Sequence, residues 1–205
     1  MPKILYILFF IASAVNAQTK MDSSEAAKLK AKVKAHAGSL ETLLSDFVQY
    51  KHLDFLSNDI VTTGKLAFKS PNTVKWEYTK PFKHTVLFKN ETLFINDEGK
   101  KSNVDIGSNE MFKQLNTLII NSIKGDMFNE NDFDISYFNN ETNSEVYFSV
   151  KHEKILKYIK VFHIIFNKEG HVIELKMIEP SEDYTRIIFS NRSINIPLSD
   201  AIFTQ

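Results

Sequence analysis

The chain has 205 residues, and its 25 acidic and 25 basic side chains balance, so it lacks the basic surplus of an electrostatic nucleic-acid binder. It contains no cysteine, which excludes disulfides, thiolate metal sites and thiol nucleophiles. Its 17 phenylalanines supply a large apolar volume that either fills a core or lines a cavity for an apolar molecule.

The N-terminus is typical of a cleaved signal peptide rather than a retained membrane anchor. Lys3 provides a positive charge, and the apolar run 4–15 is too short to span a bilayer comfortably. The small residue Ala17 fits cleavage before Gln18. We therefore expect a signal peptide over residues 1–17, export to the periplasm and one mature domain over residues 18–205. Because position 18 is glutamine and not cysteine, we expect no lipid anchor on the mature chain.

Two helices are predicted. Residues 20–37 combine a capping serine at 23 or 24 with a narrow apolar face, which indicates an amphipathic helix packed on a sheet edge. Residues 109–124 have a broader apolar face at steps of three and four, which includes Met111, Leu115 and Leu118. In a chain made mostly of strands, this second helix is expected to cover the open side of a curved sheet, either as a fixed core helix or as a lid.

Residues 40–52 are ambiguous between helix and strand. The leucines at the start have helical spacing, whereas residues 46–52 alternate like a strand. We predict a short helical turn that runs into the first long strand.

The clearest pattern is an antiparallel hairpin over residues 61–81. Ser70-Pro71-Asn72 has the composition of a turn, and Pro81 closes the second strand. Side chains alternate between faces along a strand. One face is therefore apolar, formed by Leu66, Phe68, Val74, Trp76 and Tyr78, and the other carries lysines and threonines.

Shorter alternating runs predict the rest of the sheet. The expected strands are 85–88, 93–95, 101–106, 133–137, 146–150, 157–166, 172–178 and 184–189. Asn90-Glu91 and Glu98-Gly99 mark two of the turns. Residues 193–205 are predicted to attach loosely, with Phe203 docking inward.

Searches for catalytic or metal-binding patterns are negative. The six histidines lack metal-ligand spacing, and there is neither a nucleophile elbow nor a glycine-rich phosphate loop. We expect no metal, no cofactor and no enzyme activity, with a lipid-ester hydrolase as the weakest alternative.

The hairpin and its flanks resemble a known family. The segments GKLAFKSP at 64–71 and KWEYTKP at 75–81 are similar to the signature of the LolA family of periplasmic outer-membrane lipoprotein carriers. Residues 47–49, 93–97 and 183–189 fit the same family in the same order. The resemblance extends from about residue 40 to the C-terminus.

The resemblance implies a mainly β, α+β fold: an unclosed, strongly curved antiparallel β-barrel with helices over a concave hydrophobic cavity. It implies that the cavity binds the acyl chains of lipoproteins, taken from an inner-membrane lipoprotein-releasing transporter and carried to the outer membrane. A monomer without nucleic-acid partners is expected. The lipid-binding side chains would be Leu66, Phe68, Val74, Trp76, Tyr78, Val86 and Phe88, and the lid helix would contribute Met111, Leu115 and Leu118.

One position departs from the family. Several members have an arginine before the hairpin proline that is thought to latch the lid, and here that residue is Ser70. A hydroxyl cannot make the forked, charged hydrogen bonds of a guanidinium. The latch is therefore expected to differ. A second hypothesis keeps the same cavity for another lipid or a pigment precursor, or for sensing envelope stress.

Overall fold

The computed structural model describes residues 18–105 and 125–204, which contain twelve strands in one antiparallel sheet and a few helices. The first half contains β1 (Thr19–Lys20), α1 (Ser23–Gly38), β2 (Thr42–His52), β3 (Ile60–Lys69), β4 (Thr73–Lys80), β5 (His84–Lys89), β6 (Thr92–Asp97) and β7 (Lys100–Asp105). The second half contains β8 (Phe133–Asn139), β9 (Ser144–Val150), α2 (Glu153–Leu156), β10 (Val161–Phe166), β11 (Val172–Ile178), β12 (Tyr184–Ile194) and a 3-10 helix, Asp200–Phe203. The predicted signal peptide and the predicted helix 109–124, with Met111, Leu115 and Leu118, lie outside the described residues.

The strands are arranged in the order β1-β8-β9-β10-β11-β12-β2-β3-β4-β5-β6-β7. Strands β12 and β2 join the two halves of the chain, with Phe189 opposite Phe47. Because β1 and β7 form the two ends of this order, the sheet is not closed. The predicted unclosed antiparallel architecture with few helices is confirmed.

Helix α1 begins at a capping box. The Asp22 carboxylate accepts a hydrogen bond from the Glu25 backbone N–H at 2.8 Å, and the Glu25 carboxylate accepts one from the Asp22 N–H at 2.9 Å. The cap is therefore Asp22, not Ser23 or Ser24. The predicted apolar stripe faces the sheet, where Leu29 and Val33 are buried.

The predicted helical turn before β2 is wrong. Residues 42–52 form a strand that pairs with β3 on one side and β12 on the other. Leu43 and Leu44 consequently point to opposite faces, each into a different apolar cluster. Pairing on both sides outweighs the helical spacing of the leucines, which is a weak local preference.

The strand predicted over 157–166 is shorter than expected. It begins at Val161, and residues 153–156 form the single turn of α2. The two predicted tight turns are present, with positive φ at Asn90, Glu91, Glu98 and Gly99, as tight hairpin turns require.

The C-terminal segment packs on the face away from α1. Phe203 is buried against Ala67 and Leu87, which alternate with the inward-facing residues of β3 and β5. Lys69 Nζ lies 2.6 Å from the Asp200 carboxylate and tethers the same segment. Phe203 is therefore buried as predicted, and it covers the face of the sheet opposite α1.

Candidate functional site: an apolar cavity between α1 and the sheet

A cavity of about 620 Å³ lies between α1 and the inner face of the sheet. Its lining comes from two apolar clusters, one built mainly on α1 and β8–β10 and the other mainly on β2–β6 and β12, and Leu175 packs against both. Its apolar wall consists of Val33, Ala37, Leu40, Leu43, Leu66, Trp76, Val86, Phe88, Leu93, Ile95, Met127, Phe133, Phe148, Ile159, Phe162, Ile164, Val172, Leu175, Met177, Phe189 and Ile194. Such a wall can hold hydrocarbon by burial alone.

The seven cavity residues predicted from the sequence all belong to the cluster built mainly on β2–β6 and β12, but they divide into two groups. Four of them line the cavity: Leu66, Trp76, Val86 and Phe88. The other three, Phe68, Val74 and Tyr78, pack in the same cluster without lining the cavity.

The three residues behind the wall have structural contacts of their own. Phe68 and Val74 are 2% and 0% exposed. The Tyr78 hydroxyl donates a hydrogen bond to Gln49 Oε1 at 3.1 Å, and burial raises the pKa of Tyr78. Their contribution to the site is therefore support of the wall.

Trp76 is held in place by an aromatic network. The Phe47 ring lies edge-on to both Trp76 and Tyr78, with 5.1 Å between centroids in each pair. The rings of Phe189 and Trp76 also lie near each other, with 6.1 Å between their centroids. Edge-to-face pairs at these distances are favourable, so the largest side chain of the wall has a fixed orientation.

The sequence predicted only four of the 21 apolar residues of the wall. About half of the wall comes from Val33 and Ala37 of α1 and from strands β8–β12, including Phe148 and Phe162. The alternation of those strands shows one apolar face, but it does not show that the face turns toward the same space as the hairpin. The long-range pairing of β12 with β2 brings the two halves together.

The α1 helix approaches the rest of the chain closely at Gly125. A Cβ on Gly125 would lie 2.9 Å from both Ala37 Cβ and Lys34 Cα. The φ of Gly125 is +73°, which favours glycine. Ala37 lines the cavity, so this contact fixes part of its wall.

The connection from α1 to β2 is held by the side chain of Asn195. Its Oδ1 accepts from the Glu41 N–H at 2.8 Å, and its Nδ2 donates to the Ser39 carbonyl at 2.9 Å. The helix end is therefore fixed to the end of β12.

Polar side chains gather at this same end of the cavity. His36 of α1 and His171 before β11 have ring centroids 4.8 Å apart, and both line the cavity with Arg192 of β12. Burial lowers the pKa of Arg192. Burial, followed by the charges of Arg192 and His36, lowers the pKa of His171. One end of the cavity is thus polar and cationic, and the rest is apolar.

Ser70 lies exposed in the β3–β4 turn, where its N–H donates to the Glu41 carbonyl at 2.8 Å. The predicted lid residues that an arginine would latch are outside the described part of the chain. The role of position 70 therefore remains a prediction.

In the ranges 18–105 and 125–204, no cluster of three metal-ligating side chains is present. None of the described helices is long and apolar enough to cross a membrane.

Comparison with known proteins identifies the family. The model of the family described as "Outer membrane lipoprotein carrier protein LolA" matches residues 38–205. The chain belongs to the LolA family. No curated protein sequence matches it significantly.

The solved structures that resemble this chain are distant from it in sequence. MucB is 10% identical with a TM-score of 0.53, over 89% of this chain and 63% of the MucB chain. The Pseudomonas aeruginosa MucA/MucB complex is 8% identical with a TM-score of 0.51, over 88% and 61% of the two chains. A LolA superfamily protein from Nitrosomonas europaea is 11% identical, with a TM-score of 0.45 over 88% and 97%. At these identities the similarity is one of fold.

Proposed function

We propose that this LolA family member is a periplasmic carrier, without enzyme activity, that binds the acyl chains of lipoproteins in its cavity. It would take them from an inner-membrane releasing transporter toward the outer membrane. The observation that carries the proposal is the 620 Å³ apolar cavity between α1 and the sheet. That volume falls within the range of ligand pockets, about 300–1,000 Å³. The family to which the chain belongs is described as an outer membrane lipoprotein carrier.

The energetics suit a carrier. Burial of one methylene contributes about 0.8 kcal/mol, so about ten buried methylenes supply roughly 8 kcal/mol. That free energy is an upper limit, and it corresponds to a dissociation constant of about 1 μM before the entropy cost of association is subtracted. A single chain is therefore held firmly enough for transport, whereas several fully buried chains would bind too tightly to be handed over unaided.

A binding experiment with a synthetic triacylated lipopeptide tests this function. We expect micromolar or tighter binding, and no binding of the same peptide without acyl chains. In the Val86→Trp variant the indole fills part of the cavity, so affinity for the lipopeptide should fall by about tenfold or more. Val61→Trp is the matched control, because Val61 is 47% exposed on the surface and its replacement should leave affinity unchanged.

A second candidate function uses the same cavity for a different hydrophobic molecule. The polar end formed by His36, His171 and Arg192 favours it, because an acyl chain alone makes no use of these groups. Depletion of the protein in cells separates the two. A lipoprotein carrier predicts that lipoproteins accumulate in the inner membrane, and normal sorting would contradict it.

A further inference from the structure

The two arginines of this chain both lie in β12 and have opposite surroundings. Arg186 donates through Nε and Nη2 to the two oxygens of Glu174, each at 2.7 Å. Arg192 has no carboxylate partner within the described residues. Its Nη2 donates to the Val172 carbonyl, and its Nε is buried with no acceptor among the described residues. Within the described part of the chain, the Arg186 guanidinium is therefore neutralised and the Arg192 guanidinium is not.

The unpaired guanidinium belongs to the polar end of the cavity. Arg192 donates to the carbonyl of Val172, which follows His171 in the chain, and the His171 ring lies 4.8 Å from that of His36. His171 Nε2 is also buried without a hydrogen-bond partner among the residues described. No aspartate or glutamate is found among the described residues of the cavity wall. The described residues at this end of the cavity thus include a cation, Arg192, whose Nε–H has no acceptor among them, and they include no carboxylate.

An unpaired cation that is partly buried is costly, and an anion that pairs with it offsets part of that cost. Burial already lowers the pKa of Arg192, which reflects the penalty on its charged form. The planar guanidinium matches the two oxygens of a carboxylate or a phosphate, and such charge-assisted pairs are among the strongest hydrogen bonds. The missing partner at this position is therefore an oxyanion.

The geometry points to a head-group site: His36, His171 and Arg192 bind the carboxylate or phosphate of an amphiphile whose hydrocarbon chain lies in the apolar part of the cavity. The inference rests on the proposed function, in that the cavity holds an acyl chain. It adds that the molecule bearing the chain carries an oxyanion close to it, as a fatty acid or a lipid phosphate does.

Three ligands with the same chain test this inference on the unmodified protein: laurate, dodecyl phosphate and dodecanol. We expect one or both anions to bind about tenfold or more tighter than dodecanol, as one charged hydrogen bond provides. Equal binding of all three would overturn the head-group site and leave the acyl-binding function standing. If none of the three binds, both proposals fail.

Free anions form a separate arm, because acetate and inorganic phosphate carry the same chemistry without the chain. We expect neither anion to bind measurably at the concentrations at which the amphiphiles saturate the protein. Binding of inorganic phosphate as tight as that of dodecyl phosphate would overturn the inference in favour of a site for a small anion.

Substitution of the arginines assigns the effect to a residue. Arg192→Met should weaken binding of the anions by about tenfold or more and leave dodecanol binding within about twofold. Arg186→Met is the control, because it removes the other arginine of β12, which is already paired with Glu174. An equal loss for anions and dodecanol in Arg192→Met would contradict a head-group role. If that variant does not fold, Arg192→Lys takes its place and should keep a preference for the anions over dodecanol. Loss of that preference in Arg192→Lys would also contradict a head-group role.

Discussion

The ring of Phe47 lies directly over Gly64 on the neighbouring strand. A Cβ at position 64 would lie 2.6 Å from Phe47 Cζ and 2.2 Å from the Glu77 carbonyl oxygen. The pairing of β3 with β4 also shifts register between Thr63 and Gly64. Glycine therefore leaves the space in which Phe47 reaches Trp76 and Tyr78 and supports the wall of the cavity.

Replacing Gly64 by alanine should destabilise the protein. The added methyl group meets backbone as well as a ring, so we expect the free energy of unfolding to fall by at least about 1–3 kcal/mol. Denaturant unfolding measures the change. The matched control is Gly38→Ala, because a Cβ there has no described atom within 4 Å. Equal stability of the two variants would show that Phe47 does not require the glycine.

Gly125 should couple stability to ligand binding. An alanine there suffers both from the left-handed backbone, about 1–2 kcal/mol, and from contact with α1. Gly99→Ala isolates the first effect, because Gly99 has φ +95° and none of the residues described lies within 4 Å of its Cβ position. We expect Gly125→Ala to be the less stable variant and to lose affinity for an acylated ligand, since Ala37 of the cavity wall must move. Unchanged affinity would contradict a fixed α1.

Val74 tests whether support of the wall and contact with the ligand are separate roles. It is 0% exposed and packs behind the cavity, so Val74→Ala should cost about 2–4 kcal/mol of unfolding free energy. Ligand affinity measured on the folded variant should change by less than about threefold. Val61→Ala, at an exposed position, should change neither quantity. A large loss of affinity in Val74→Ala would place this residue in contact with the ligand.

Acid should destabilise the protein partly through His163. Burial lowers the pKa of His163 below 6.5 and outweighs Glu145, whose carboxylate lies 3.0 Å away and raises it. As the pH falls through 6.5, the unfolded chain takes up this proton first, so stability decreases until the pH reaches the folded pKa. Above both pKa values the group has no effect on the pH dependence.

The His163→Gln variant should therefore lose less stability than the wild type between about pH 8 and pH 5. Thermal unfolding at a series of pH values measures the difference. An NMR titration of the His163 ring gives the folded pKa directly, and a value above 6.5 would contradict the expected sign.

The sequence predicted the hairpin and the open antiparallel sheet because those features follow from local alternation and turn residues. Leu66 and Trp76 could be assigned to one face from their spacing, and they are directly opposite each other in the hairpin. Alternation does not distinguish wall from support, so Val74 was grouped with Val86. That distinction depends on the neighbouring layers, which come from distant parts of the chain.

Local sequence patterns did not predict the polar end of the cavity. His36 lies on α1, His171 in the β10–β11 connection and Arg192 on β12, and each is unremarkable in its own segment. The helical turn predicted around Leu44 was wrong for the same reason, because the pairing of β2 on both sides makes this segment a strand. Long-range pairing thus determined which isolated residues meet.

The central claim, that the cavity carries acyl chains, is tested most directly by mass spectrometry of the molecules that co-purify with the mature protein from its native cells. We predict that an acylated molecule co-purifies in stoichiometric amount, and triacylated lipoprotein is the species that supports the carrier function. The acylated molecule should be lost in Val86→Trp but not in Val61→Trp. Absence of any acylated species from the wild type, or equal recovery from both variants, would contradict the claim.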